Sequence, residues 1–439
     1  MSLHLLLTDI LLWSLVIGGV AWGVYMRKAK AGLEAWRDIF RSPVAMVSAV
    51  ILLFYLAFAL LDSVHFKVDD PHRSDSGSVI SLLDMAMQHR RTFSERTYSA
   101  PFATQEYTRS VVVDKTGVTQ QSFLPLKHVS PEGFWQKSVL GVGAGIALAL
   151  LLIFLHRRWL RGGHEGGEPL PWRSAYMTFG ILTVLFSWLY VMSFSFHVLG
   201  TDKVGGDLFY ASLKSIRTGV LIGTLTTLVT LPLAVVLGVS AGYFRGWVDD
   251  LIQYLYTTLS SIPGVLLIAA GVLTMQVMMD QHPDWFATTV ERADVRLLFL
   301  IMILGVTSWT GLCRMLRAET LRISQMDYVT AAKAFGVNSW QIMWRHIVPN
   351  LTHIILISIV LDFSGLVLAE AVLSYVGVGV DPTMYSWGNM INQARLEMAR
   401  DPMVWWSLFS AFIFMFVLVL AANLFSDRVQ HVLDPRNVS

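Results

Sequence analysis

The stretch DYVTAAKAFGVNSWQIMWRHIVPN, residues 327–350, separates two long apolar segments and carries the most specific signal in the chain. Gly336, near its centre, suits a tight turn or a close backbone approach. Asn338 or Ser339 can cap a short helix after that turn, and Pro349 is expected to end this helix before the next apolar segment. Small, helix-favouring residues precede the turn: Thr330, Ala331 and Ala332. The residues by themselves favour an ordinary amphipathic loop between helices, with a compact bend that binds a partner surface as the alternative.

The composition of the chain points to lipid as its solvent. Of the 439 residues, 54% are hydrophobic and only 15% are charged, whereas soluble domains average about a quarter charged residues. The net charge of +2, with no basic tract, argues against nucleic acid as a partner. The single cysteine, Cys313, excludes a disulfide within the chain and a cysteine-rich metal site.

Nine segments qualify or nearly qualify as membrane-spanning helices, which need about 20 apolar residues. They cover residues 10–26, 42–61, 138–155, 174–196, 218–242, 251–279, 297–313, 351–380 and 403–426. Pro232 and Pro263 fall within two of these segments, where helix packing usually accommodates a proline and a kink that supports gating is the alternative. Two Gly-x-x-x-Gly patterns are typical of close helix contacts: Gly141 with Gly145, and Gly238 with Gly242.

Lysine and arginine are unevenly distributed between the loops, which indicates the orientation of the spans. Basic loops follow the first, third and seventh spans, and a basic tail follows the ninth. If nine spans alternate, these four regions share one side. The C-terminus and the bend at residues 327–350 are therefore predicted in the cytoplasm, and the N-terminus outside. Lys203, Lys214 and Arg217 fall on the opposite side and weaken this orientation without reversing it.

Four regions follow from this pattern. Residues 1–62 hold two N-terminal helices joined by a basic cytoplasmic loop, and residues 63–137 form a polar insert on the outside. Residues 138–197 add a helix pair with a cytoplasmic linker at 161–171, and residues 198–439 form the remaining core. Helical spacing within the insert predicts a short amphipathic helix there, formed by Val79, Leu82, Leu83, Ala86 and Met87.

The bend at residues 327–350 resembles the EAA loop of ABC importer permeases, the cytoplasmic element that docks on the ATPase. The family pattern is Glu-Ala-Ala, three residues, Gly, and then nine residues leading to Leu-Pro. Ala331, Ala332, Gly336 and Pro349 stand at the matching places, whereas Thr330 replaces the family glutamate. The resemblance implies an intact docking loop, except for any contact that needs the glutamate carboxylate.

Further elements, in collinear order, resemble those of the peptide/nickel permeases. They are LGTDKVGGD at residues 199–207, GYFRGWVD at 242–249, SIPG at 261–264, LAEAVLSYVG at 368–377, SWGNM at 386–390 and LDPR at 433–436. The match covers roughly residues 198–439 and is nearest to the C-type subunit of dipeptide and oligopeptide importers. AWRDIFR at residues 35–41 resembles the N-terminal elbow of that family, whereas the first span and residues 63–197 look like additions.

The resemblance implies an all-α polytopic protein of the bacterial inner membrane, with a six-helix type-I importer core preceded by three additional helices. It implies ATP-driven translocation of peptides, with nickel chelates or another small solute as the alternative. The implied partners are a second homologous permease subunit, two ABC ATPase subunits, a periplasmic substrate-binding protein and membrane lipid. ATP and Mg²⁺ are expected on the ATPase subunits. This chain is therefore expected to bind no cofactor and not to be an enzyme, and it lacks the G-x-x-x-x-G-K-[ST] pattern.

Asp362 and Glu370 are acidic residues within the eighth predicted span, eight positions apart and near one helix face. Buried acids in a membrane are costly and often functional. The favoured interpretation is hydrogen bonding between helices near a helix end, and the alternatives are that these acids line a substrate path or relay protons. A rival function is therefore an ion-coupled secondary transporter, and another is a membrane-anchored assembly or sensor protein that works through the insert. The spacing of the insert's histidines does not suggest a metal site; they are His65, His72, His89 and His128.

Overall fold

The computed structural model describes residues 2–28, 30–68, 78–92, 94–113, 119–161, 170–286 and 288–433. Within these residues, nine helical segments are long and apolar enough to cross a membrane, which confirms the predicted number of spans. His72, residues 162–169 of the predicted linker and residues 434–436 of the LDPR element lie outside the described residues.

The helices are α1 (Leu7–Lys28), α2 (Lys30–Arg41), α3 (Pro43–Asp62), α4 (Leu82–Ala86), α5 (Gln88–Arg91), α6 (Phe134–Arg161), α7 (Trp172–Met192), α8 (Leu208–Phe244), α9 (Gly246–Ser261), α10 (Gly264–Gln281), α11 (Thr289–Ile323), α12 (Asp327–Ala334), α13 (Ser339–Ile342), α14 (Val348–Val376), α15 (Trp387–Glu397) and α16 (Trp406–Leu433). The candidate spans are α1, α3, α6, α7, α8, α10, α11, the run from α13 to the end of α14, and α16. α2 is the amphipathic elbow helix that the sequence predicts between the first two spans.

The polar insert contains strands as well as helices. β1 (Ser2–His4), β2 (His65–Val68) and β3 (Ser78–Ser81) form one antiparallel sheet, and β4 (Ser110–Val113) pairs with β5 (Thr119–Ser122). The predicted amphipathic helix begins later than expected. Val79 lies in β3, and α4 starts only where Ser81 and Asp84 form a capping box. The architecture is therefore predominantly helical, as predicted, and the described strands, which the sequence does not predict, belong to the insert and to the segment before α1.

The predicted span at residues 251–279 is wrong, because the structure divides it into two helices. α9 ends at Ser261, Ile262 has an extended backbone, and α10 begins directly after Pro263. Proline disfavours the helical conformation of the residue before it, which explains the break at Ile262. Pro263 therefore precedes a span instead of lying inside one, whereas Pro232 lies inside α8 as predicted.

Contacts between Cα atoms divide the chain into two compact units. Unit 1 consists of Met1–Leu5, Trp36–Thr218 and Tyr385–Ala421, and unit 2 of Leu6–Ala35, Gly219–Met384 and Ala422–Ser439. The first unit contains the insert and the α6–α7 helix pair. The second contains α1, most of α8 and the helices from α9 to α14.

Both Gly-x-x-x-Gly patterns lie at close helix contacts. In unit 1, a Cβ atom at Gly145 of α6 would lie only 2.7 Å from a backbone carbon of α7. In unit 2, a Cβ atom at Gly242 of α8 would lie 2.6 Å from a side chain of α11. Gly141 and Gly238 approach the same two neighbouring helices at similarly short range. The glycines thus allow these backbones to pack at distances that any larger residue would prevent.

If nine spans alternate, the N-terminus, the insert and the segments just before α8 and α16 lie on the same side of the membrane. These segments contact one another within unit 1. β1, ahead of the first span, pairs with β2 of the insert. The N–H of Thr201, just before α8, donates to the carbonyl of Ser99 in the insert at 3.0 Å. The hydroxyl of Tyr107, also in the insert, donates to the carbonyl of Met403, just before α16, at 3.1 Å. These contacts support the alternation of the spans, while the cytoplasmic location of the opposite side stays a prediction.

Lys214, one of the residues that opposed the predicted orientation, is not an isolated charge. Its ammonium group lies 3.3 Å from Asp62 and donates a hydrogen bond to Asp84. Burial by itself would raise the pKa of Asp84, but Lys214, the N–H of Ser81 and the hydroxyl of Tyr210 together hold that pKa below its ordinary value. Two carboxylates thus neutralise this lysine. Its position is therefore only weak evidence against the predicted orientation of the spans.

Candidate functional site

The bend at residues 327–350 contains α12, which ends in a left-handed turn at Gly336, where φ is +74°. The N–H of Gly336 donates to the carbonyl of Lys333 at 3.0 Å, and the N–H of Val337 donates to the carbonyl of Ala332 at 3.1 Å. These are the two hydrogen bonds of a Schellman motif. A Cβ atom at Gly336 would meet no other atom within 4 Å. Glycine is therefore favoured here by its backbone conformation and not by lack of space.

The second half of the bend runs helically into the next span. The side-chain oxygen of Asn338 accepts the N–H of Trp340 at 3.3 Å and caps α13. A π-helical turn, Met343–Ile347, then leads directly into α14, whose first turn contains Pro349. The prediction that Pro349 ends this helix is therefore wrong. The wider π-helical turn relieves the clash that a proline ring makes with the carbonyl four residues earlier in an α-helix.

The bend has one buried face and one exposed face. Its buried side chains are at most 3% exposed and pack in an apolar cluster with residues of α8, α9 and α11; they are Val329, Ile342, Met343 and Ile347. On the other face, Phe335 is 87% exposed and Trp340 is 58% exposed. Trp344 is also exposed and lies against Trp340, with ring centroids 5.5 Å apart. The bend therefore presents large aromatic side chains from a firmly packed base.

The structure places the predicted docking residues on or beside this exposed face. Thr330, Ala331, Gly336 and Pro349 are exposed, and Ala332 is partly buried. The hydroxyl of Thr330 donates to the carbonyl of Met326 at 3.1 Å, within the first turn of α12. The position of the family glutamate therefore carries no negative charge, and its polar group is already bonded locally.

The sequence analysis does not predict an ion pair that joins α9 to α11. Asp249, in the first turn of α9, accepts two hydrogen bonds from Arg317 of α11, at 2.5 and 2.7 Å. The hydrogen bond from Arg317 lowers the pKa of Asp249. Nearby, the ammonium group of Lys333 lies 4.6 Å from the ring centroid of Tyr243, a cation–π contact between the bend and the end of α8. GYFRGWVD thus supplies Tyr243, which contacts the bend, and Asp249, which joins α9 to the helix that leads into the bend.

The two intramembrane acids have different surroundings. Glu370 is 2% exposed, and its carboxylate accepts the hydroxyl of Ser374 at 2.7 Å. Asp362 is only partly buried, and within the described part of the chain it makes no hydrogen bond or ion pair. The arrangement assigns a structural contact to Glu370, whereas none of the described residues compensates the charge of Asp362.

The comparisons with known proteins agree with this geometry. The sequence model of a family described as binding-protein-dependent transport system inner membrane component matches residues 234–439, which include the bend and both acids. A model described as the N-terminal TM domain of oligopeptide transport permease C matches residues 32–73. The glutathione transport system permease protein of Pectobacterium atrosepticum is 32% identical over 242 residues, which are 55% of this chain and 73% of that protein. The chain belongs to this family of transport permeases.

Other relatives of the permease carry similar names. The oligopeptide transport system permease protein of Mycobacterium tuberculosis is 30% identical over 243 residues, 55% of this chain and 77% of that protein. The dipeptide transport system permease protein of Bacillus subtilis is 28% identical over 240 residues, 55% of this chain and 69% of that protein. Together with the nine apolar helices found in the described residues, this membership makes the permease a multi-pass inner-membrane protein.

Buried charges join the insert of the permease to the LGTDKVGGD element within unit 1. The Nδ1 atom of His197 lies 2.7 Å from the carboxylate of Asp207, the last residue of that element. From the insert, Arg90 lies 3.8 Å from Asp207 and Glu95 lies 3.5 Å from His197. Burial by itself would raise the pKa of Glu95, but two backbone N–H groups outweigh it and lower the pKa. A part of the permease that neither family model matches is thus tied to an element that resembles the family.

Proposed function

We propose that the permease is a transmembrane subunit of an ATP-driven importer of peptides. It would act with a second homologous permease subunit, two ATPase subunits and a periplasmic substrate-binding protein. The names of its relatives, which include oligopeptide, dipeptide and glutathione permeases, support a peptide substrate. ATP and Mg²⁺ would be bound by the ATPase subunits, so the proposed role of this chain includes neither a catalytic site nor a cofactor.

The observation that carries this proposal is the two-faced bend at residues 327–350. Exposed aromatic side chains such as Phe335 and Trp340 offer a large apolar surface to a partner. The buried side of the bend packs against α8, α9 and α11, so a displacement of the bend would move the ends of these helices together. In the proposed cycle, ATP-driven closure of the ATPase pair displaces the bend, and the two permease subunits alternate their access to the two sides of the membrane.

The proposed docking contact does not depend on the carboxylate that the family glutamate would supply. Thr330 is uncharged, and its hydroxyl is bonded to Met326. The contact would therefore be made mainly by the aromatic side chains around Gly336. A negative charge introduced at Gly336 would have to be buried without a partner in this apolar interface, which is unfavourable.

The test compares Gly336→Asp with Gly336→Asn in the assembled complex. Both side chains tolerate the left-handed backbone, and no atom lies where their Cβ would be placed, so the two variants differ mainly in charge. We expect both to insert in the membrane, Gly336→Asn to keep substrate-stimulated ATP hydrolysis, and Gly336→Asp to abolish it. Normal stimulated hydrolysis and uptake in Gly336→Asp would contradict the docking role.

The substrate has two further candidates within the same architecture, a nickel chelate and another small solute. Identification of the ligand that co-purifies with the complete complex would decide between them and a peptide. An ion-coupled secondary transporter is the rival from another class, and it would use Asp362 and Glu370. The bond between Glu370 and Ser374 supports the importer instead, because it gives that acid a structural role.

A further inference from the structure

Asp362 occupies an energetically unusual position. It is the middle residue of α14, Val348–Val376, and lies well inside the candidate span Ser339–Val376. A charge at the centre of a bilayer costs several kcal/mol, and an aspartate is too short to reach the interface as a lysine or arginine can. Within the described residues no cation or hydrogen-bond donor compensates it. Its ionised form therefore needs water or a cation that the described residues do not supply.

The open side of α14 lies next to Asp362. One stripe of the helix is exposed, formed by Leu361, Gly365, Leu368 and Val372. Gly365, one turn after Asp362, has no atom within 4 Å of the place where a Cβ would lie. The other side is packed, since Phe363 lies against α8 and Ser364 donates to Asn423 of α16 at 2.7 Å. Asp362 thus borders the open side of the helix.

We propose that Asp362 binds the ammonium group at the amino-terminus of the transported peptide, within the membrane-spanning part of α14. Hydrocarbon is an unfavourable neighbour for a carboxylate, so the open side of α14 at this level would face a water-filled path. A peptide carries a compact cation at its amino-terminus, which complements this single acid. Glu370 cannot take the same role, because its carboxylate is buried and bonded to Ser374. This inference rests on the proposed importer function.

The first test asks whether position 362 faces water. Asp362→Cys in the complete complex is treated with charged, water-soluble methanethiosulfonate reagents in each nucleotide state. The native Cys313 is 0% exposed, so the unsubstituted protein supplies the background, and Ser364→Cys on the packed side of α14 is the matched control. We expect labelling of Asp362→Cys, not of Ser364→Cys, and protection by a transported peptide. No labelling of Asp362→Cys in any state would overturn the proposal.

The second test measures selectivity for the ammonium group. Uptake of one peptide with a free amino-terminus is compared with uptake of its acetylated form, in proteoliposomes that contain the whole importer. We expect Asp362→Asn to reduce the preference for the free form by about tenfold, the size of one charge-assisted hydrogen bond, and Glu370→Gln to leave it unchanged. The same binding protein serves all variants. Its own preference for the free or the acetylated peptide therefore cancels when the ratio of the two uptake rates is compared between variants.

The outcomes of the second test separate this inference from the proposed function. An unchanged preference in Asp362→Asn would overturn the role of Asp362 while leaving the importer intact. Absence of uptake of either peptide by the unsubstituted complex would instead contradict the peptide importer itself. If Asp362→Asn fails to assemble and Asp362→Cys is not labelled, Asp362 contacts a partner subunit, and the proposal is wrong.

Discussion

Arg317 holds the carboxylate of Asp249 with two hydrogen bonds, of 2.5 and 2.7 Å, although 68 positions separate the two residues in the sequence. The pair joins the first turn of α9 to the last part of α11, which leads into the bend at residues 327–350. Both side chains are largely buried, with exposures of 23% for Arg317 and 13% for Asp249. A bidentate pair fixes orientation as well as distance, so it would transmit a movement of the bend to α9.

Arg317→Lys is predicted to weaken this link although it preserves the charge. Lysine cannot form the two parallel hydrogen bonds, so we expect the purified complex to hydrolyse ATP with a smaller increase on substrate addition. Arg317→Ala should also lower the free energy of unfolding by about 1–3 kcal/mol, because it leaves the carboxylate unpaired. Thermal unfolding in detergent is measured for the native protein, Arg317→Ala, Asp249→Asn and the double variant. Comparison of the four gives the coupling free energy between the two residues. Additive effects of the single changes would contradict the ion pair.

The pH dependence of this ion pair follows from the lowered pKa of Asp249. An aspartate whose pKa is lower in the folded protein contributes stability that is complete above its unfolded value of about 4. That contribution is lost only as the pH falls through the lowered folded value. The stability difference between the native protein and Asp249→Asn should therefore be constant near neutral pH and shrink only in acid.

Gly145 and Gly143 of α6 provide a matched test of the helix pair formed by α6 and α7. A Cβ at Gly145 would lie 2.7 Å from the Cα of Val184, whereas a Cβ at Gly143 would meet no atom within 4 Å. Gly145→Leu should therefore push α7 away and lower the midpoint of thermal unfolding in detergent, while Gly143→Leu should change it little. Equal midpoints for the two variants would show that the α6–α7 contact is not as close as described.

The spans were predictable because the bilayer imposes one length scale on apolar helices. The turn at Gly336 was predictable as well, since its cause lies in the local backbone. The break at Pro263 was not found, because the apolar run continues across it and the length rule merged α9 with α10. The insert was harder to predict, since β2 pairs with β1 although two membrane spans, α1 and α3, separate these strands in the sequence.

The charges that hold the structure together gave no signal in a single sequence. Asp249 and Arg317, or Lys214 and Asp84, are brought together only by the tertiary fold. Lys214 therefore looked like an exception to the orientation rule until its carboxylate partners were placed. Asp362 and Glu370 looked equivalent for the same reason, because periodicity reports a helix face and not the hydrogen bond that distinguishes the two acids.

The orientation of the spans can be tested with single cysteines. Gln120, in β5 of the insert, is exposed, Phe335 of the bend is 87% exposed, and the native Cys313 is 0% exposed. In intact cells, a membrane-impermeant maleimide should label Gln120→Cys and should label Phe335→Cys only after permeabilisation. Expression without the ATPase subunits keeps Phe335→Cys uncovered. A reporter fused after Ser2 should likewise be found outside. The reverse pattern would overturn the orientation.

Glu370→Gln distinguishes an ATP-driven importer from a proton-coupled transporter. The glutamine side chain keeps the size of glutamate, and its carbonyl oxygen can still accept the hydroxyl of Ser374. We therefore expect only a modest loss of transport, with the dependence on ATP unchanged. A proton relay would need a group at this position that gains and releases a proton in each cycle, which glutamine cannot do.

Uptake into vesicles, with ATP supplied and the proton gradient present or dissipated, measures this difference for the native protein and for Glu370→Gln. The gradient should be dispensable for both, because Glu370 is buried and already bonded within its own helix. If dissipation of the gradient stops uptake by the native protein while ATP is still supplied, and Glu370→Gln reproduces that loss, transport is driven by protons. The bend at residues 327–350 would then have no ATPase to couple, and its exposed aromatic face would require another partner.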